Sequence, residues 1–330
     1  MNAGKMNNLV KKIWNIRCKQ ELPAGDAPAD GGCRRPKWVR CILWCLDRLV
    51  DVCFWLCLLV VAYVVLQLFV LTSFRIPSKS MIPTLVPGDR ILVDKLSGGA
   101  RLFNVFDALE KKDISIWRMP GWRDFQRGDV LVFNFPYGVA GRWDSIAFDV
   151  MKYYVKRCIA VPGDTVEIRG GFYHIPGVEE PLGNQAAQAE IAQLPDSGVR
   201  GVQMETYPWD RKLGWTVKNF GPLAVPRKGQ TVRMDSTACR LYRTLVSWEQ
   251  KKQLHTDSTG EVRLGDSLIT HYTFRENYYF VAGDRAMNSQ DSRYWGLLPE
   301  PYIVGRARWV WKSVDRNGKV RWERVMKRVK

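Results

Sequence analysis

The sequence predicts a mostly β protein with a single N-terminal transmembrane helix, followed by an extracytoplasmic β-rich domain that carries an inserted β-rich lobe. Three observations carry this expectation. Val52 to Leu71 is a run of twenty residues without a charge, broken only by Gln67. After it come short β-type runs: Arg90–Val93, Val130–Phe135, Tyr153–Val161, Val166–Ile168, Thr231–Met234, Tyr278–Ala282 and Ala307–Val314. Turn signals Pro87-Gly88-Asp89, Arg127-Gly128-Asp129 and Pro162-Gly163-Asp164 punctuate them. Helical periodicity is scarce in that region, and Ser247–Leu254 reads as one short helix at best.

The elements follow in chain order. Residues 1–51 form a cytoplasmic basic segment with ten Lys/Arg against five Asp/Glu. Within it Gln20–Lys37, rich in Pro, Gly, Ala and Asp, predicts a flexible linker. Trp38–Val50 holds Arg40, Asp47 and Arg48 among apolar residues, which suits an interfacial amphipathic helix better than a second span. Residues 52–71, as a helix, match the ~30 Å hydrocarbon core of a bilayer. A cleaved signal peptide does not fit, because the run starts at Val52, is too long, and no small-x-small site follows it. Ten basic residues precede the run and only Arg75, Lys79 and Arg90 follow in the next twenty. Positive-inside bias therefore puts the N-terminus in the cytoplasm and Thr72 onward across the membrane. Residues 72–170 and 276–330 read as two parts of one domain. The stretch 171–275 between them is less regular, with a Gln/Ala segment at Asn184–Gln193, and reads as the inserted lobe.

Composition narrows the function. Lys plus Arg is 50 and Asp plus Glu is 33, for a net charge of +17. Residues 1–51 and 301–330 contribute +5 and +8 of it, so the middle is close to neutral. That distribution disfavours a basic nucleic-acid channel and leaves anionic lipid as the partner for the charged ends. Six of the eight cysteines lie in or before the apolar run, and no C-x-x-C occurs. With His174, His255 and His271 the only histidines, H-E-x-x-H is absent too, so neither a metal nor another cofactor is expected. Two buried thiols at Cys158 and Cys239 are favoured over the bridge that an oxidising compartment would allow.

Neither G-x-S-x-G nor S-x-x-K is present. Three stretches stand out instead. Ile76-Pro77-Ser78-Lys79-Ser80-Met81-Ile82-Pro83-Thr84-Leu85 sets two serines on one side of an extended chain, with prolines restricting the backbone around them. In Tyr153–Asp164, Lys156 interrupts a strand-like run. In Gly283–Gly296, Asp291 and Arg293 suggest an ion pair. In this order, behind an N-terminal anchor, the three resemble the type I signal peptidase (leader peptidase) family. The matches are the S-x-S-M-x-P-T box at Ser78–Leu85, the R-G-D strand at Arg127–Phe135, the Y-x-K-R strand at Tyr154–Asp164, and the loop Gly283–Arg293, continuing to Gly305-Arg306-Ala307. The resemblance runs from about Phe74 to Trp311. Lys79 and Arg285-Ala286-Met287 depart from the family pattern.

What the resemblance implies is a serine endopeptidase cleaving signal peptides from exported preproteins at the bacterial cytoplasmic membrane. Ser80 would be the nucleophile and Lys156 the general base, its ammonium neutralised by burial between Tyr154 and Cys158. The Ser80 N–H and the Ser78 hydroxyl would hold the oxyanion, and Ser289 would orient the lysine. Asp284 with Arg157, and Asp291 with Arg293, would be structural ion pairs. Phe74, Ile76, Met81, Leu85, Ile91, Tyr154 and Val155 would wall the substrate site and admit small side chains at the first and third positions before the cut. Lys79 is the rival base, but it alternates away from Ser80. Trp309, Trp311 and Trp322, with the basic tail, could rest on lipid or be buried. No obligate protein partner is expected. The competing readings are another Ser/Lys protease acting on a regulator or on itself, and a non-catalytic anchored scaffold that binds anionic lipid.

Overall fold

The computed structural model describes residues 37–110, 112, 114–137 and 143–330. The basic segment and linker expected before residue 37 lie outside the described residues. The chain divides into two compact units, one ending at Val60 and the other spanning Val61–Lys330.

Helix α1 runs unbroken from Lys37 to Val65 and passes into a π-helical turn, Leu66–Val70. The boundary expected between an amphipathic stretch and a separate span is therefore absent. No Gly or Pro lies between Trp38 and Leu71 to interrupt the backbone ladder. Within it Cys41–Val70 is long and apolar enough to cross a membrane, the one such helix among the described residues. Its large apolar side chains, among them Trp55 and Leu59, are exposed. Leu71, expected to close the span, instead opens a strand in register with Asp94.

The main sheet has eight strands: β1 Leu71–Arg75, β2 Asp89–Asp94, β3 Val130–Asn134, β4 Tyr153–Ala160, β5 Tyr278–Ala282, β6 Leu298–Pro299, β7 Ile303–Ser313 and β8 Lys327–Arg328. They run antiparallel in the order β1-β2-β7-β3-β4-β5-β6, with β8 paired to β7. The centre of the sheet thus joins distant parts of the chain. Strand β3 explains the two-sided core. Val130 and Val132 face a cluster with Ile76, Met81, Leu85 and Ile91, while Leu131 and Phe133 face one with Cys158, Tyr279 and Trp295. A strand covered on both faces is apolar at every position rather than alternately.

Between β4 and β5 the chain forms three small sheets and two helices, α2 (Gln185–Ala192) and α3 (Ser236–Gln250). Here the expected Ser247–Leu254 helix is corrected: α3 begins eleven residues earlier, and Leu254 belongs to a strand. The Asp235 carboxylate accepts from the N–H groups of Thr237 and Ala238 at 2.9 and 2.8 Å, capping the helix. Ala238, Leu241, Tyr242 and Leu245 recur at the spacing of one buried helix face. Much of the segment packs on β4 and β5, since Ile159, Tyr278 and Phe280 share one core with Leu223, Leu245 and Phe274, while Ala187 and Ile191 of α2 pack with Ala286 and Tyr294. Cys158 and Cys239 are free, buried thiols.

The basic tail is partly consumed by the fold. Arg324 pairs with the buried Asp89, and Val329 is in the core. Trp311 donates its indole N–H to Ser73 Oγ at 2.8 Å, Trp309 is half-buried, and Trp322 is exposed.

Candidate active site

Ser80 stands on a tight turn, where the sequence suggested an extended chain. Ile82 N–H donates to Lys79 O at 3.2 Å and Leu85 N–H to Met81 O at 2.8 Å. Met81 and Leu85, four residues apart, both point into the core and weld the turn to it. The Ser78 and Ser80 hydroxyls nevertheless lie 3.4 Å apart. Lys79 is exposed.

Lys156 faces Leu131 across the β3–β4 ladder and is 2% exposed. Its Nζ lies 2.7 Å from Ser80 Oγ and 5.8 Å from the centre of the Tyr154 ring. Burial lowers its pKa to about 8; Asp291 and Asp284 pull it up, and Arg293 pushes it down. A hydroxyl thus faces an amine whose charge is lost about two pH units lower than that of an ordinary lysine.

The loop after β5 closes over this pair. Arg285 N–H donates to the Ser80 carbonyl at 3.0 Å. A Cβ on Gly283 would collide with Ser289 Oγ and with that same carbonyl, so the close approach requires glycine. Asp291 accepts from Gly283 N–H at 3.0 Å and from Arg293 Nε and Nη2 at 2.8 and 2.9 Å. Burial pushes the Asp291 carboxyl up, but Arg293 outweighs it and holds it below the usual carboxylate range. Asp284 accepts from Arg157 Nε and Nη2 at 2.6 and 2.7 Å, and its carbonyl accepts from Asn184 Nδ2 at 2.8 Å. Ser289 is buried beside Gly283, but its hydroxyl has no hydrogen-bond partner, so the expected bond to Lys156 is not formed.

The expected substrate wall is corrected in part. Ile76, Met81, Leu85 and Ile91 are buried in one apolar cluster, supporting the turn from beneath rather than facing outward. Phe74 and Val155 are half-buried at its margin, the half-buried Tyr154 packs instead against the cluster of Phe133 and Phe135, and the Phe74 and Tyr153 rings meet at 4.8 Å. A cavity of about 990 Å³ lies elsewhere, lined by Tyr137, Phe148, Trp248 and Tyr302 among others. Among the described residues no group of His, Cys, Asp or Glu is placed to hold a metal ion. Asn184, Thr84 and the Arg285 amide were not foreseen; Thr84 and Arg285 lay within motifs, and Asn184 did not.

A family model described as "Signal peptidase, peptidase S26" matches residues 48–312. The chain is 30% identical over 266 residues to a signal peptidase I of Pseudomonas fluorescens, covering 76% of this chain and 67% of that protein. It is 26% identical over 273 residues to one of Buchnera aphidicola subsp. Acyrthosiphon pisum, covering 78% and 73%. It is 28% identical over 254 residues to one of Aquifex aeolicus, covering 76% and 79%. A crystal structure of a signal peptidase I from Enterococcus faecalis matches at 21% identity and a TM-score of 0.27, over 56% of this chain and 97% of that one, too distant to bear on the fold. With four-fifths of its length inside the family match, the chain belongs to the signal peptidase family, peptidase S26, and is a peptidase that removes signal peptides from preproteins.

Proposed function

We propose that Ser80 is the nucleophile and Lys156 the general base of signal-peptide cleavage. The supporting observation is the 2.7 Å approach of Lys156 Nζ to Ser80 Oγ, where burial discourages the ammonium form. A neutral amine accepts the Ser80 proton as Oγ attacks the scissile carbonyl, then passes it to the leaving amine. Water, deprotonated by the same lysine, releases the acyl group. The oxyanion is held by the Ser80 N–H and the Ser78 hydroxyl, one such donor being worth about 3–4 kcal/mol in the transition state. Ser289, with a buried hydroxyl that has no partner, orients the amine once the bond to Ser80 has broken. The pairs Arg157–Asp284 and Asp291–Arg293 brace the loop.

Phe74, Tyr154 and Val155 border the substrate. An extended peptide alternates its side chains, so its first and third residues before the cut enter together and must be small. The apolar helix anchors the chain in the bacterial cytoplasmic membrane, with the N-terminus cytoplasmic and residues from 72 onward outside. Residues 72–170 and 276–330 form the catalytic domain, and 171–275 an inserted lobe. Anionic lipid meets the basic residues flanking the anchor. Enzyme and membrane-inserted substrate then find each other in two dimensions, without an obligate protein partner.

Ser80→Ala and Lys156→Ala should each abolish preprotein cleavage while keeping the unfolding transition. Near-normal turnover by Lys156→Ala would overturn the base assignment. Protease added outside spheroplasts should digest the chain beyond Thr72 and spare residues 1–51; a protected C-terminal part would reverse the orientation.

A further inference from the structure

The turn that carries Ser80 is gripped at its far end by a stretch of chain beyond the family match, which stops at residue 312. After β7 the chain returns through Arg321–Arg324 to β8, and Val329 enters the apolar cluster of Ile76, Met81 and Leu85. The return is fastened to Asp89, which is fully buried. Arg324 Nε and Nη2 donate to the two Asp89 carboxylate oxygens at 3.1 and 2.7 Å. Ser313 Oγ–H and Val86 N–H donate to the same carboxylate at 2.6 and 2.9 Å. Arg324 Nη2 also donates to the Thr84 carbonyl at 2.9 Å. The Thr84 hydroxyl accepts from Arg157 Nη2 at 3.0 Å, and that nitrogen also reaches the Lys330 carbonyl at 3.1 Å.

Thr84 is therefore held twice: at its carbonyl by the returning segment, and at its hydroxyl by the residue that follows Lys156. This matters because Ser80 and Lys156 lie 76 residues apart on different elements. Apolar packing beneath the turn holds it to the core but is non-directional, and does not by itself fix the distance from a hydroxyl to an amine. A guanidinium fork that bonds Asp89 and Thr84 together has a fixed geometry, which a lysine cannot reproduce.

We propose that Arg324 and Thr84 form a clamp that positions Ser80 against Lys156, so that the returning segment 321–330 helps set the nucleophile–base distance. The clamp rests on Ser80 and Lys156 being the reacting pair. Both clamp members are positioning residues, acting through the turn.

The test uses two full-length variants. Arg324→Lys keeps a cation for Asp89, and with it the fold, but lacks the fork for Thr84. Thr84→Val removes only the link to Arg157. Each is assayed on a preprotein for kcat, KM and the pH dependence of kcat/KM, alongside thermal unfolding. Both should show kcat lowered about tenfold with KM within about twofold, because small misplacements of reacting groups act on the transition state. The acidic limb of kcat/KM should also move to higher pH, because a loosened turn admits water to the amine. Wild-type kcat in both variants overturns the clamp. So does a lowered Tm with kcat per folded enzyme and the acidic limb unchanged, which would assign the segment to stability alone. Ser80→Ala, run in parallel, separates the two levels of the argument: activity there overturns the reacting pair, whereas its inactivity alongside intact clamp variants overturns the clamp only.

Discussion

Two buried cations meet the same loop, and their fates differ. Arg293, 1% exposed, sits in the Gly283–Arg293 loop with the Asp291 carboxylate at 2.8 and 2.9 Å. Burial alone would lower its pKa, but Asp291 reverses this and raises it. Lys156, 2% exposed, has among the described residues a hydroxyl as its hydrogen-bond partner and no carboxylate in an ion pair, and its pKa falls to about 8. The carboxylates that could hold its charge are committed elsewhere, Asp291 to Arg293 and Asp284 to Arg157. Equal burial thus makes a strut of one cation and, on the proposed reading, a base of the other. What decides is whether a carboxylate touches it.

The largest test of this contrast removes the lysine. Lys156→Met should lower turnover by about a hundred- to ten-thousandfold, the usual range for a general base. It should also stabilise the fold at pH 7 by about 2 kcal/mol, allowing for the lost bond to Ser80. The sign follows from a folded pKa of about 8 lying below the unfolded value. Between the two the unfolded chain binds more protons, so wild-type stability rises with pH through that window and the advantage of the variant fades. Denaturant titrations at pH 7 and 10 measure both; equal gains at the two values would mean that Lys156 is unperturbed.

Asp291→Asn attacks the strut. An uncompensated buried Arg293 should cost about 3–5 kcal/mol in unfolding free energy. Because Asp291 also pulls the Lys156 pKa up, the acidic limb of kcat/KM should shift to lower pH. An upward shift would break the comparison. In the unaltered enzyme kcat/KM should rise about tenfold per pH unit below the lysine pKa and level off above it, with the bend near pH 8. A bend near pH 6 would exclude the lysine. The smallest effect on stability is expected for Ser289→Ala, within about 0.5 kcal/mol, because the hydroxyl has no bond to lose. A severalfold drop in kcat should accompany it, and unchanged kcat would remove Ser289 from the mechanism.

Much of the sheet was legible because strand patterns are local. The runs at Val130 and Tyr278 were placed to within a residue by their apolar continuity and flanking turns. Helix α3 was legible but unread: Asp235 as cap and the spacing of Ala238, Leu241, Tyr242 and Leu245 are both in the sequence. The substrate wall was misjudged for another reason. Met81 and Leu85 look like a lining when Ser80 is imagined on an extended chain, and become core once the chain turns there.

The sequence by itself determined the apolar helix, the β texture, and a serine, a lysine and two ion pairs as candidates, since these depend on residue type and short-range spacing. Only the tertiary structure decided that Ser80 lies 2.7 Å from Lys156. It alone joined Arg324 to Thr84 across 240 residues, and left Ser289 without a partner. The reason is physical. Propensity and periodicity act over a few bonds, whereas a hydrogen-bond length or a lowered lysine pKa depends on which distant segments exclude water from the same few ångströms.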